Sequence, residues 1–334
     1  MNSLNLDFHG IPVLVESLSE ELIEGLRRDF EYFVSPGGDR EPLVILTLDL
    51  APPPPEARPE GPPDFVLRDW RAFDAGSLRR VFYDDGAFAV YDFAQRRGRL
   101  YCADLGRLHE LAYLAVLSRA GELLDGRGLR RAHALGFAAG GRGGLLLLPS
   151  GGGKSVLALE IVRSTGLGLL SDESPLVCDD LRLKAFPLRW GFLPAQDLPG
   201  VPEELVRTFR RKAHGPKKLV DVGFFRDRVT AEASPEWLLI GRRHDGPPSI
   251  APASRLRAFA SLLKWMVVGV GLAQMSEYMV FPTRRGLGDL LRLAWRRAKT
   301  AWRLSGAARP LEFRLGPDPA ANARALEDLA RRAM

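Results

Sequence analysis

The residues from Ser150 to Ser155, Ser-Gly-Gly-Gly-Lys-Ser, have the types and the spacing of a phosphate-binding site. The four leucines at 145–148 that come before them predict a strand buried on both faces, and 156–163 has the apolar spacing of a helix. Backbone N–H groups at a helix N-terminus, together with a lysine and a hydroxyl, form the phosphate cradle of a P-loop. The segment therefore predicts nucleotide binding.

Each part of this loop has an expected role. The main-chain N–H groups would surround a β-phosphate, the side chain of Lys154 would reach the β- and γ-oxygens, and the hydroxyl of Ser155 would bind Mg²⁺. The usual pattern has a further glycine at the position of Leu148, and a leucine has less conformational freedom there. The predicted nucleotide-binding residues are Ser150, Gly151, Gly152, Gly153, Lys154, Ser155 and Val156.

Two adjacent acids, Asp172 and Glu173, follow the predicted helix after a short return strand. This short crossover would bring them beside the phosphates, where phosphoryl transfer needs a metal ion, charge neutralisation and an acceptor held in line. Neighbouring residues at a strand end point to opposite sides, so one acid can serve the metal and the other the acceptor. We expect Glu173 to bind Mg²⁺ with Ser155, since a longer side chain reaches a metal through water, and Asp172 to act on the acceptor hydroxyl as the catalytic residue beside Lys154. A helix cap or a turn is the alternative interpretation of the pair.

Residues 132 to 180 resemble the kinase domain of HPr serine kinase/phosphorylase and of its wider group of related kinases. The resemblance rests on the order His-Ala, buried strand, Pro-Ser-Gly-Gly-Gly-Lys-Ser, helix, Leu-Leu-Ser-Asp-Glu. It implies the phosphoenolpyruvate-carboxykinase-like P-loop fold, ATP and Mg²⁺ as cofactors, and transfer of phosphate to a hydroxyl. By this match Asp172 falls on the first of two family aspartates and Glu173 on the second, where the chain departs from aspartate. His133 falls near a histidine that commonly precedes the P-loop strand.

The resemblance leaves the acceptor open. The family's signature for binding the phosphocarrier protein HPr is not recognisable further along the chain, so HPr is not the expected substrate. The wider group also modifies other hydroxyls, including those of precursor peptides, and some members lie beside polysaccharide genes. We therefore expect an ATP-dependent kinase acting on a hydroxyl-bearing peptide, protein or saccharide. The alternative, motivated by Leu148 and Glu173, is a catalytically weak, kinase-derived scaffold that binds a nucleotide or a peptide in a biosynthetic pathway.

Three further features have both a structural and a functional interpretation. A packed, hydrogen-bonded core residue is favoured for His133 over a catalyst. The pair Lys217-Lys218 fits either a loop that reaches the phosphates or a solvated turn. In a helix predicted at about 289–304, basic charge beside tryptophan suits contact with a membrane surface, but a domain helix that buries its tryptophans is favoured. One stripe of this helix carries Leu291, Ala294, Trp295, Ala298 and Trp302, and another carries Arg292, Arg296, Lys299 and Arg303.

The composition is that of a globular protein with anionic partners. The chain has 334 residues, of which 46% are hydrophobic and 26% charged, and a net charge of +6. It contains no zinc knuckle, RNA-binding aromatic signature or helix-turn-helix, so a nucleic acid partner is not expected. The N-terminus lacks the features of a secretion signal and the most apolar stretch, 262–273, is too short to cross a bilayer, which predicts a cytoplasmic location. Cys102 and Cys178 are expected to be buried thiols, and a homo-oligomer is compatible with the sequence.

The predicted strands and helices that carry these residues indicate an α/β protein of two parts. Residues 1–120 are interpreted as a smaller N-terminal domain of mixed strands and helices, with an accessory or substrate-recognition role. Residues 121–334 form the predicted P-loop domain of the HPr kinase type. Each part contains a helix with a recognisable N-cap. Ser19 can cap a helix that runs to about Phe33, and Asp318, which is followed by proline, can cap the last helix.

Overall fold

The computed structural model describes residues 1–37, 40–55, 61–67, 69–211, 215–272 and 287–332. These residues form a mixed α/β protein with several sheets, which confirms the predicted α/β class. Counting only described residues, one compact unit contains 1–124 and 208–217, and the other contains 125–207, 218–272 and 287–332.

The first unit is built on a sheet that has eight strands in the described part of the chain, in the order β1-β2-β3-β8-β7-β6-β5-β4. Strands β2, β3 and β8 are parallel, and the remaining pairs are antiparallel. The elements are β1 (Asn2–Asp7), β2 (Pro12–Ser17), α1 (Glu20–Asp29), β3 (Val44–Asp49), β4 (Phe65–Val66), β5 (Trp70–Ala75), β6 (Leu78–Tyr83), β7 (Phe88–Asp92), β8 (Arg97–Tyr101) and α2 (Leu105–Gly126).

The predicted cap of α1 is confirmed, because the side chain of Ser19 accepts a hydrogen bond from the N–H of Leu22. The helix ends earlier than expected, at Asp29, and a 3₁₀ turn at Glu31–Phe33 follows it. The carboxylate of Asp29 is fully buried and lies 2.7 Å from Nε2 of His109 on α2, which ties the two helices together.

The second unit contains a sheet with the strand order β12-β10-β11-β18-β14-β13-β9, to which β20 adds beside β18 and β19 adds beside β20. A separate small sheet has the order β15-β17-β16, and its strands β16 and β17 contain residues of both units. The elements are β9 (Leu129–Arg131), β10 (Leu135–Ala139), β11 (Arg142–Leu147), α3 (Lys154–Ser164), β12 (Gly168–Ser171), β13 (Leu176–Cys178), β14 (Leu183–Lys184), β15 (Trp190–Phe192), β16 (Val206–Arg211), β17 (Gly215–Val220), β18 (Glu232–Arg243), β19 (Ser249–Pro252), α4 (Arg255–Leu262), α5 (Leu287–Ala307), β20 (Arg309–Leu315) and α6 (Pro319–Arg331).

The strand directions bring several chain segments to one edge of this sheet. Strand β11 runs parallel to β18, whereas β10 runs antiparallel to both β11 and β12. Strand β12 therefore points the same way as β11 and β18, and the carboxyl ends of all three lie at the same edge. Strand β10 begins at that edge, so the residues just before it lie there too. In sheets of this kind ligands bind beyond the carboxyl ends of the strands.

The core of the second unit forms between the sheet and two helices. Leu145 and Leu147 of β11 pack in one cluster with Leu238 of β18, Leu262 of α4 and Leu304 of α5. All four leucines at 145–148 are buried, as the sequence predicts for a strand covered on both faces. The final helix also begins as predicted, with the Asp318 carboxylate accepting from the N–H of Ala320 and Pro319 in the first turn.

The favoured interpretation of the C-terminal basic helix, now α5, is wrong in one respect. Trp295 and Trp302 are 71% and 42% exposed, whereas Arg297 is fully buried. The reason is that the guanidinium of Arg297 has hydrogen-bond acceptors inside the unit, so the side of α5 that carries it turns inward.

Among the described helices, none combines the length and the apolar character needed to cross a bilayer. Both cysteines are buried and free, as expected.

Candidate functional site

The segment from Leu148 to Gly153, called here the glycine loop, connects β11 to α3. The backbone of Gly151 and Gly153 has φ values of 75° and 92°, a region that residues with a β-carbon rarely adopt. Gly153 is the N-cap, so α3 begins at Lys154, slightly before the predicted helix. The sequence Ser-Gly-Gly-Gly-Lys-Ser thus lies between a buried strand and a helix N-terminus, as predicted.

Leu148 stands where the usual pattern has a glycine, and the neighbouring strand explains why it is accommodated. A β-carbon on Gly241 of β18 would lie 2.6 Å from the Leu148 side chain, so this glycine leaves the room that the leucine fills. Leu148 is only 1% exposed. Leu148 is not one of the described non-glycine residues with a positive φ, so its backbone has no left-handed strain.

Lys154 is held by the loop itself. Its Nζ lies 2.9 Å from the carbonyl oxygen of Leu148, 3.2 Å from that of Pro149 and 2.9 Å from Nε2 of His133. Burial lowers the pKa of this ammonium, and the nearby charges of Glu173 and Asp172 act in the opposite direction. A phosphate that bound here would have to compete with three internal acceptors.

His133 lies just before β10 and is buried at the same edge of the sheet. Burial, and then the charge of Lys154, lowers the pKa of its imidazole to about 3. The ring is therefore neutral near pH 7, and its Nε2 accepts from the lysine ammonium. The imidazole ring also packs against Trp265, with ring centroids 5.6 Å apart. The residue is a packed core histidine, as favoured from the sequence, and it also contacts the loop lysine.

Ser155 and Asp172 meet at this edge. The Ser155 hydroxyl donates to Oδ2 of Asp172 at 2.8 Å. Asp172 is the first residue after β12 and is 5% exposed. Burial, and then the charge of Glu173, raises the pKa of Asp172 to about 7, while the Ser155 hydrogen bond and the Lys154 charge oppose the rise. This carboxyl group therefore changes its protonation state near neutral pH.

Glu173 is exposed, and its main chain is fixed on both sides. Its N–H donates to Oγ of Ser171 at 3.2 Å, and its carbonyl oxygen accepts from the N–H of Ala134 at 3.1 Å. The Ser155 contact expected of Glu173 is made by Asp172 instead. The turn that Ser171 makes directly after β12 brings Asp172 to α3, and the charge of Glu173 also acts on Lys154.

Arg243 is a site residue that the sequence analysis missed. It ends β18, and its Nε donates to the carbonyl oxygen of Gly152 at 3.1 Å, while the side chain stays exposed. A β-carbon on Gly153 would lie 2.3 Å from its guanidinium, so the glycine is needed for this approach. The available signal was the apolar run 237–240, which lies between Pro235 and Gly241 and is followed by two arginines.

The ammonium of Lys218 and the carboxylates of Asp179 and Asp180 have partners of their own. Lys218, part of the predicted lysine pair, donates to the carbonyl oxygen of Gln196 at 3.0 Å. Asp180 accepts from the N–H of Arg182 in the turn between β13 and β14, and Asp179 pairs with Arg130. Within the described ranges, no group of three His, Cys, Asp or Glu side chains is arranged to hold a metal ion.

No protein-family model matches the chain, and a search of curated proteins finds no match.

Proposed function

We propose that the chain is an ATP-dependent kinase that transfers the γ-phosphate of ATP to a hydroxyl of a peptide, a protein or a biosynthetic intermediate. The observation that carries the proposal is the 2.8 Å contact between the Ser155 hydroxyl and the Asp172 carboxylate, directly beside the loop lysine. A hydroxyl and a carboxylate are the hard oxygen ligands that Mg²⁺ prefers, and Mg²⁺ usually takes its other ligands from phosphates and water.

The N-terminus of α3 supports binding of the triphosphate. Unpaired N–H groups and the positive end of the helix dipole favour an anion at this position. Lys154 would exchange its internal acceptors for the β- and γ-oxygens. Arg243 adds a second cation, because its guanidinium is exposed and lies within hydrogen-bond distance of the loop. The predicted contacts of Ser150 and Val156 with the nucleotide remain part of this proposal.

Asp172 and Ser155 would hold Mg²⁺, which would neutralise charge on the β- and γ-oxygens. Loss of the proton from Asp172, whose pKa is about 7, would accompany metal binding. Glu173 is the better candidate for the acceptor, since it is exposed and adjacent. The acceptor oxygen would form a bond to the γ-phosphorus as its proton passes to Glu173. The bond from that phosphorus to the β,γ-bridging oxygen would break, releasing ADP.

Calorimetric titration with Mg·ATP tests the binding step. We expect Lys154→Ala to weaken binding by about 100-fold, since charge-assisted hydrogen bonds contribute roughly 1.5–3 kcal/mol each. Lys218→Ala is the matched control, because that lysine bonds to Gln196 and should leave affinity unchanged. The proposal fails if the wild type does not bind Mg·ATP, or if Lys154→Ala binds it equally well.

The two acids can be separated by kinetics. We expect Asp172→Asn to raise the Mg²⁺ concentration required for activity, because it removes the carboxylate beside Ser155. Glu173→Gln should keep Mg·ATP affinity and lower turnover by about 10²–10⁴-fold, the usual scale for a general base. The reverse pattern would restore the roles expected from the sequence.

A nucleotide-binding scaffold without catalysis is the competing function. The occupied ammonium of Lys154 favours it, since the resting loop presents no free lysine to a nucleotide. Such a scaffold would bind Mg·ATP yet release no phosphate and form no phosphorylated product. Phosphate release that is abolished by Glu173→Gln would exclude it.

A further inference from the structure

Helix α5 has an outward face that is partly aromatic and partly basic. Trp295, Leu291 and Trp302 are 71%, 60% and 42% exposed. With 3.6 residues per turn, these three side chains fall within an arc of about 40°. The next arc, of about 60°, holds four exposed basic residues. They are Arg292, Arg296, Lys299 and Arg303.

The orientation of this face is fixed from the other side of the helix. The fully buried guanidinium of Arg297 pairs with Asp125 and donates to the carbonyl oxygens of Met266 and Arg131 at 2.9 and 3.0 Å. Turning the tryptophans inward would break this network and leave the buried Asp125 carboxylate without the Arg297 guanidinium, which is strongly unfavourable. Trp295 is therefore exposed as a consequence of the fold.

Helix α4 extends the same surface. The guanidinium of Arg255 lies 4.0 Å from the ring centroid of Trp302, and the edge of Phe259 meets that ring at 5.1 Å. Leu256, one residue along, is 68% exposed. Acidic side chains are scarce on the two helices: α4 has none, and the one acid of α5, Asp289, pairs with Arg292. The surface is thus rigid, apolar in part and strongly positive.

We propose that α4 and α5 form a docking surface for an anionic lipid membrane, with α5 lying in the plane of the headgroups. Basic residues beside tryptophan and leucine are the composition of helices that bind in this way. The tryptophan ring favours the boundary between acyl chains and water. A soluble polyanion would pair with the four cations but would leave Trp295 and Leu291 in water. The charge and the aromatic residues together therefore favour lipid over an acidic protein.

Vesicle co-sedimentation of the full chain without nucleotide tests this surface. We expect binding to phosphatidylcholine vesicles that contain phosphatidylglycerol, little binding to phosphatidylcholine alone, and a blue shift of tryptophan emission on binding. Lys299→Ala should weaken binding about fivefold, the effect of one basic residue near an anionic surface. Trp295→Ser should weaken it roughly tenfold through lost apolar burial and should reduce the blue shift. Arg324→Ala is the control, since it removes the same charge from an exposed position on α6.

Three results would overturn the proposal. The first is equal binding to both kinds of vesicle, and the second is wild-type binding by both variants. The third is weaker binding of Lys299→Ala but not of Trp295→Ser, together with full competition by soluble polyglutamate. The last outcome would assign the surface to an acidic macromolecule. Circular dichroism of each variant checks that it is folded. The assay contains no ATP, so its outcome is independent of the proposed kinase activity.

Discussion

The buried carboxyl group of Asp172 should make the stability of the metal-free protein fall as the pH rises. The pKa of this group is about 7 in the folded chain because of burial and the charge of Glu173, against an ordinary value of 3.8. Between these two values the folded chain binds more protons at this site than the unfolded chain does. The free energy of unfolding therefore decreases from pH 4 to pH 7 through this group, and the loss is complete above pH 7.

The size of the effect follows from the same two values. At about 1.4 kcal/mol for each pH unit, the interval corresponds to about 4 kcal/mol. Asp172→Asn removes the ionisation while still offering an oxygen to the Ser155 hydroxyl. We expect the variant and the wild type to be equally stable near pH 4, and the variant to be more stable by about 4 kcal/mol at pH 8.

Urea unfolding of both proteins across this pH range, without Mg²⁺ or nucleotide, measures the difference directly. His133, whose pKa is lowered to about 3, acts in the opposite sense, because below pH 6.5 the unfolded histidine binds a proton while the folded one stays neutral, so stability falls with the pH. That contribution is common to both proteins and cancels in the difference. Asp328→Asn, an exposed substitution on α6, controls for net charge. A difference that does not change with pH, or a variant less stable at pH 8, would refute the reasoning.

Gly153→Ala should destabilise the protein by about 2–4 kcal/mol in urea unfolding, since the new β-carbon sits on left-handed backbone and meets Arg243. Gly151→Ala should cost only about 1–2 kcal/mol, because its backbone is also left-handed but its β-carbon meets open space. Equal losses of stability in the two variants would contradict this. Leu148→Gly restores the usual loop pattern, yet we expect it to lower the free energy of unfolding by about 3–5 kcal/mol because it empties a buried site. An unchanged urea midpoint would show that the leucine does not fill the space beside Gly241. Glu173→Gln should lower the pKa of the neighbouring Asp172 carboxyl, measured by carbon-13 NMR titration, and an unaltered titration would mean that burial alone sets that pKa.

Features encoded by consecutive residues could be predicted from the sequence. The cap at Ser19, the cap at Asp318 and the glycine loop each depend on a few neighbouring residues, and all three are found as expected. Arg243 could not be placed, because only the pairing of β18 with β11 brings the end of that strand to the loop.

The two corrected expectations have different origins. Which acid contacts Ser155 depends on the local turn made by Ser171, and the alternation of a strand does not specify which of two adjacent acids that turn brings to α3. The exposure of Trp295 depends on Arg297, whose acceptors come from three other segments of the chain. A helical stripe alone gives no information about those acceptors.

The internal bonding of Lys154 has a consequence for ligand selectivity. In the resting protein two carbonyl groups and an imidazole already occupy the positions that phosphate oxygens would take around the ammonium. An isolated phosphate or sulfate ion offers too few new contacts to displace all three. A metal-bound triphosphate offers several oxygens at once, together with ligands for Ser155 and Asp172. The loop should therefore discriminate against small anions before any contact with a base or a sugar is made.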